Sequence, residues 1–214
     1  WILIDLGILC SGGATTTIYP SSSADEAAFI LSDSSTRFAF VEDDSQVAKV
    51  RSEKENLPNL EKLIVIDGSS SDDGYVISLS DLKEAGAKWD AEHPEAFQAR
   101  VEEQTSEHLA TLIYTSGTTG RPKGVELTHD CWVFEAESMD KLSLLSPTDR
   151  QYLWLPLSHS FGKVLEAASI RIGIHTYVDG RIDKLVENLA VAQPTFIAAV
   201  PRIFEKAYNK IVAG

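Results

Sequence analysis

The sequence predicts an α/β fold, with mainly parallel sheets flanked by helices. Three observations carry that expectation. Apolar patterns alternate between the period of a strand and that of a helix, so that one kind of element follows the other along the chain. Runs such as Leu-Ile-Val-Ile at 63–66 and Phe-Ile-Ala-Ala-Val at 196–200 are apolar on both faces, as parallel strands covered from two sides are. Pro194 and Pro201 open elements instead of interrupting them.

Taken in order, strands are expected at 15–19, 37–41, 62–66, 109–114, 151–155, 175–178 and 194–200. Helical spacing fills 24–31, 45–55, 81–89, 128–142, 161–172, 182–192 and 201–212. Ser23 or Asp25 suits the cap of the first of these helices, and Ser80 stands just before another. Residues 68–74 read as a polar, mobile surface loop, and 92–108 as a connector with room for one short helix. A composition shift near 145–148 suggests a boundary. Residues 1–145 are then one α/β subdomain and 146–214 the start of a second.

Charge and cysteine content exclude several classes. The 214 residues carry a net charge of −13, from 32 acidic against 19 basic side chains. Such a surface repels nucleic acid phosphates, and no basic stripe with aromatic partners offsets it, so no nucleic acid partner is expected. Cys10 and Cys131 lack metal-ligand spacing and read as free thiols of a reduced, cytoplasmic protein. No apolar run is long enough for a transmembrane segment. The apolar stretch 1–10 has neither a basic start nor a methionine, so the chain is expected to continue a longer polypeptide.

One segment carries chemistry. An apolar strand at 109–114 runs directly into Thr115-Ser-Gly-Thr-Thr-Gly-Arg-Pro-Lys-Gly124, and a helix is expected from about Thr128. Glycines let the backbone turn sharply and bring successive N–H groups to an anion. Hydroxyls of Thr115, Ser116, Thr118 and Thr119 add donors beside Gly117 and Gly120, and Lys123 supplies a point charge. The pattern is not the P-loop, since Gly124 stands where that motif needs Ser or Thr, and it is not the GxGxxG of kinases. The alternative is a plain surface turn rich in Gly and Thr.

The run YTSGTTGRPKGVELTH at 114–129 resembles the signature of the adenylate-forming (AMP-binding) superfamily, which includes acyl-CoA synthetases, luciferases and peptide synthetase adenylation domains. The stretch from Asp5 to Pro20 is similar to the family's early helix, Gly-Ala turn and strand, and 155–162 (LPLSHSFG) to its next core motif. Residues 194–206 (PTFIAAVPRIFEK) closely resemble long-chain fatty acyl-CoA synthetases. The resemblance implies a partial N-terminal domain whose loop, Thr115 to Gly120 with Lys123, holds ATP phosphates. It also implies that Thr115 helps to hold Mg2+. The implied parent is an AMP-forming acid–thiol ligase acting on a fatty acid, ATP and coenzyme A. Peripheral membrane contact and oligomerisation stay open, as do a fatty acyl-AMP ligase, another adenylation domain and a non-catalytic α/β module.

The same resemblance makes His159 a site residue that steadies or polarises the phosphates and the carboxylate; the alternative is a histidine satisfied by backbone partners at a strand end. Lys163 occupies the region where some relatives carry an aromatic acyl-tunnel gate, so no gate is assigned. Arg202 and Glu205 read as an ion pair at a helix start or as substrate contacts. Gly-Arg-Ile-Asp at 180–183 resembles the family's hinge motif but lies too near the phosphate loop, and a helix starting at Asp183 explains it better. The family's adenine-stacking segment, ribose aspartate and catalytic lysine have no counterpart among the 214 residues. The isolated chain is therefore expected to be inactive.

Overall fold

A computed structural model describes residues 1–115 and 121–212. Contacts divide the chain into two compact units, Trp1–His129 and Asp130–Gly214. The first opens with α1 (Ile2–Cys10), β1 (Thr15–Thr16), α2 (Ala24–Asp33), β2 (Phe38–Asp43) and α3 (Asp44–Arg51). It continues with β3 (Lys62–Asp67), β4 (Val76–Ser78), α4 (Leu79–Glu92), α5 (Ala96–Glu102), β5 (Leu109–Thr115) and β6 (Lys123–Thr128).

Two three-stranded sheets result. In one, β2, β3 and β4 run parallel in that order. Leu63, Ile64 and Val65 of β3 are all buried, as expected for a strand covered on both faces. Ala28 and Leu31 of α2 and Val50 of α3 join Leu63, Val65 and Val76 in one core. In the other sheet β5 lies between β1, which is parallel to it, and β6, which is antiparallel.

Helix starts follow the local chemistry. Ser23 forms a capping box with Glu26, whose carboxylate accepts from the Ser23 N–H at 3.1 Å. Asp43 caps α3 by accepting from the N–H groups of Ser45 and Gln46 at 3.0 and 3.1 Å. Helix α4 begins earlier than expected because Ser78, not Ser80, is its cap and accepts from the Asp81 N–H at 3.0 Å. The polar loop at 68–74 is organised by its own side chains. Asp73 accepts from the Ser71 hydroxyl at 2.5 Å and the Tyr75 N–H at 3.1 Å, and pairs with Arg51.

The second unit contains most of α6 (His129–Lys141), then β7 (Arg150–Leu153), α7 (Ser160–Ile172), β8 (His175–Val178), α8 (Leu185–Ala192) and α9 (Pro201–Val212). Strands β7 and β8 pair in parallel. Tyr152, Leu153, Trp154, Leu155 and Leu165 form its core, against which Leu185, Leu189 and Phe196 pack. Gln151, buried in β7, donates to the Ser169 hydroxyl of α7 at 2.7 Å, which ties helix to strand.

Two expectations need correction. The strand expected at 194–200 makes a single parallel bridge, Gln151 to Phe196, and no ladder. Pro194 has no N–H to give, and the Ala198 carbonyl is taken by the Trp154 indole N–H at 2.9 Å, so the backbone does not complete a ladder. The helix expected from Asp183 is a short 3-10 turn (Ile182–Lys184) before α8. The organiser is Asp179, whose carboxylate accepts from the Arg181 side chain and N–H and from Asn188. The Arg181 hydrogen bond holds that carboxyl far below the usual range. Among the described residues no helix is long and apolar enough to cross a membrane.

Candidate phosphate site

The loop grows from a buried stem. Ala110, Thr111 and Ile113 of β5 are buried, while Thr115 at the strand exit is exposed. Lys123, the first residue of β6, is exposed directly across the ladder from Thr115. The two ends of the loop therefore face each other at the mouth of a hairpin. Ser116, Gly117, Thr118, Thr119 and Gly120 lie outside the described residues. Sequence reasoning placed a helix straight after the loop and missed β6. The segment Lys-Gly-Val-Glu-Leu-Thr is short and polar, and its Val125 and Glu126 are exposed, so little apolar alternation marks it.

A contact cluster braces the stem. Tyr114 pairs across the ladder with Gly124, and a Cβ at Gly124 would lie 3.0 Å from the Tyr114 Cζ. The missing side chain is what lets the ring lie over the neighbouring strand. The Tyr114 hydroxyl donates to the Asp33 carboxylate at 2.7 Å. Burial, then the Asp33 hydrogen bond, pushes the phenol well above its ordinary range. Phe29 meets the Tyr114 ring edge-on at 6.4 Å, and the Arg121 guanidinium sits 5.1 Å from the Phe29 ring centroid.

His159 is exposed and serves as the N-cap of α7. Its Nδ1 accepts from the Phe161 N–H at 3.3 Å. A ring nitrogen that accepts carries no proton, so the neutral ring holds its proton on Nε2, which is left as the donor. The turn before α7 is tight. A Cβ on Gly162 would run into the Pro156 carbonyl, with the carbonyl carbon at 2.9 Å. Lys163 points inward instead of offering a gate. It is 4% exposed and pairs with the buried Glu166 at 3.4 Å, its Nζ 6.0 Å from the Trp132 ring centroid. Arg202 and Glu205 are both exposed near the start of α9.

A family model described as AMP-binding enzyme matches residues 1–212. The chain belongs to the AMP-binding enzyme family. The long-chain-fatty-acid–CoA ligase FadD15 of Mycobacterium bovis is 36% identical over 211 residues, which cover 98% of this chain and 34% of the relative. The long-chain-fatty-acid–CoA ligase heimdall of Drosophila melanogaster is 32% identical over 227 residues, covering 100% of this chain and 33% of its own length. In the crystal structure of the long-chain-fatty-acid-CoA ligase FadD1 from Archaeoglobus fulgidus the same fold recurs, with a TM-score of 0.74 at 21% identity over 100% of this chain and 40% of that one. The chain spans about a third of the length of the curated relatives it matches.

Within this AMP-binding chain, Thr115 and Lys123 come together through β5 and β6 as one structural feature, while His159 belongs to the other unit. The Tyr114 cluster was not found from sequence. Its members, Phe29, Asp33, Tyr114, Arg121 and Gly124, are scattered along the chain, and they meet through the register of β5 with β6 and the side-chain contacts that Tyr114 and Arg121 make with α2. Among the described residues no group of three or more His, Cys, Asp or Glu side chains is placed to hold a metal ion. Thr115, whose side chain carries a hydroxyl, is exposed at the end of β5.

Proposed function

We propose that this chain is the phosphate-gripping part of a long-chain fatty acid–CoA ligase. The observation that carries the reading is the pairing of Thr115 with Lys123 at the exposed end of a hairpin rooted in a buried strand. The identity to long-chain-fatty-acid–CoA ligases across nearly the whole chain supports the substrate class.

In the reaction proposed, a fatty carboxylate oxygen attacks the α-phosphorus of ATP, and the bond to the β,γ-diphosphate breaks. Acyl-AMP and pyrophosphate result. The coenzyme A sulfur then attacks the acyl carbon, the bond to AMP breaks, and the thiol proton is lost to solvent or base. The work of this chain is positioning and neutralisation of charge. Backbone N–H groups and hydroxyls of Ser116, Gly117, Thr118, Thr119 and Gly120 hold the phosphates, with Lys123 as the fixed cation. Thr115 would hold Mg2+, which when bound offsets phosphate charge. The Nε2–H of His159 is the donor for the activated carboxylate or the phosphate.

The test is made on the full-length protein. ATP–pyrophosphate exchange is expected with long-chain fatty acids and not with amino acids, and net product formation should require coenzyme A. Lys123→Ala combined with Thr115→Ala should lower exchange by about 100-fold or more. Full exchange in that double variant would remove the loop as a phosphate site.

A further inference from the structure

Both ends of the phosphate loop touch one turn of a helix that the chemistry above does not use. Phe29 and Asp33 lie four residues apart on α2 and so share a face. Tyr114, entering the loop, reaches both. Its hydroxyl donates to Asp33 at 2.7 Å, and its ring meets Phe29 at 6.4 Å and 85°. Arg121, leaving the loop, stacks its guanidinium 5.1 Å from the Phe29 centroid. Gly124 completes the arrangement, because the Tyr114 ring occupies the space a side chain there would need.

The helix that receives these contacts is well anchored. Ala27, Ala28, Ile30 and Leu31 are buried, and Ala28 and Leu31 belong to the core shared with β3. The α2 end is fastened too. The Ser34 hydroxyl donates to the Ile30 carbonyl at 2.6 Å and lies 2.7 Å from the Thr36 hydroxyl. An alanine at 114 or 33 would leave β5 and β6 paired through the backbone, yet remove the hydrogen bond that ties the hairpin mouth to the end of α2.

We infer that Tyr114, through Asp33 on one side and Gly124 on the other, is a positioning residue that locks the stem of the phosphate loop to α2 and thereby sets Thr115 and Lys123 for the polyphosphate of MgATP. The inference rests on the reading of this loop as a phosphate site. Tyr114 touches no substrate in this role. It works because donors already held in place lose less freedom on binding the polyphosphate, so a loosened stem weakens MgATP binding.

The experiment uses the full-length protein and pyrophosphate exchange, with MgATP and fatty acid varied separately. Tyr114→Phe and Asp33→Ala should each raise KM for MgATP about 10- to 100-fold, the range expected for a lost hydrogen bond to a charged group. KM for the fatty acid should stay within about twofold. The Tyr114→Phe/Asp33→Ala double variant should be no worse than the worse single one, because both remove the same bond. Asp33 is exposed, so its variant keeps the test alive should Tyr114→Phe fail to fold. A fall in kcat with unchanged KM for MgATP, or effects of the two changes that multiply, would overturn the inference. Lys123→Ala separates the two levels. If it raises KM for MgATP while Tyr114→Phe and Asp33→Ala do not, the positioning role alone is lost. If Lys123→Ala also leaves KM unchanged, the phosphate-site reading falls first.

Discussion

Single residues set where chemistry is available and at what pH the fold holds. The Nδ1 of His159 caps α7, and the function proposed above gives a chemical part to its Nε2–H. Asparagine also caps helices, so His159→Asn is expected to keep the melting temperature while exchange activity falls about 10- to 100-fold. That is the scale of one hydrogen bond to a charged group. His159→Ala should lose activity equally and cost a further 0.5–2 kcal/mol or so of stability for the cap. Equal activity in His159→Asn and the parent would leave the histidine as a cap only. Acid sensitivity is set by residues such as Asp73, whose carboxyl is lowered to about 2 by the Ser71 hydroxyl, then the Tyr75 N–H, with Arg51 adding charge. A carboxyl lowered on folding stabilises fully above its unfolded value, near 3.9, and loses that contribution as pH falls through about 2. The gap in urea midpoint between the parent and Asp73→Asn should thus be constant above about pH 5 and narrow as the pH falls towards 2. A gap that persists unchanged at pH 2 would show that Asp73 acts through something other than its charge.

At the scale of elements, most strands and helices were legible because burial and propensity agree within a few residues. Strand β8 and helix α9 lie where the pattern places them, and β3 extends by one residue beyond 62–66. Four features were not legible. Strand β4 has three residues, too few to show an alternation of its own, and exists through its pairing with β3. Strand β6 has a weak pattern of its own and exists through its pairing with β5. The stretch 194–200 is apolar enough for a strand, but a proline and an indole claim on the Ala198 carbonyl leave it a single bridge. The cap at Ser78 competes with the equally plausible Ser80, which instead lies 2.8 Å from it, hydroxyl to hydroxyl. Helix α7 illustrates how an element depends on one small residue. Gly162→Ala gains helix propensity of about 1 kcal/mol, but its methyl meets the Pro156 backbone, which has no flexible end to move aside. The net expectation is a loss of about 1–2 kcal/mol, seen as a lower melting temperature, and a shift of His159 with its helix. A variant as stable as the parent would mean the turn at 156–162 yields easily.

At the scale of the whole molecule, the second unit exposes large apolar side chains. Leu144 and Val186 are each 78% exposed, Val191 74% and Phe134 65%. Scattered exposed apolar residues are ordinary, but this many on the helices and loops of one unit favour association. The 214-residue chain by itself should therefore sediment as more than a monomer at tens of micromolar, and bind an apolar dye. A clean monomer without dye binding would contradict this. It should also bind MgATP poorly, since the adenine-stacking segment that the family resemblance implies has no counterpart among the 214 residues. Calorimetric titration showing micromolar affinity would be the contrary result.

What the sequence alone determined was the alternation of elements, the α/β class and the run from Thr115 to Lys123, because these depend on neighbours along the chain: periodicity, caps, and glycine and hydroxyl spacing. The resemblance read from those same residues agrees with the AMP-binding family match over 1–212. Tertiary structure decided that Thr115 and Lys123 face each other, that Lys163 turns inward to Glu166, and that Tyr114 meets Asp33. Each of these joins residues through strand register or helix packing, so the energy that selects them belongs to pairs no local pattern can reveal.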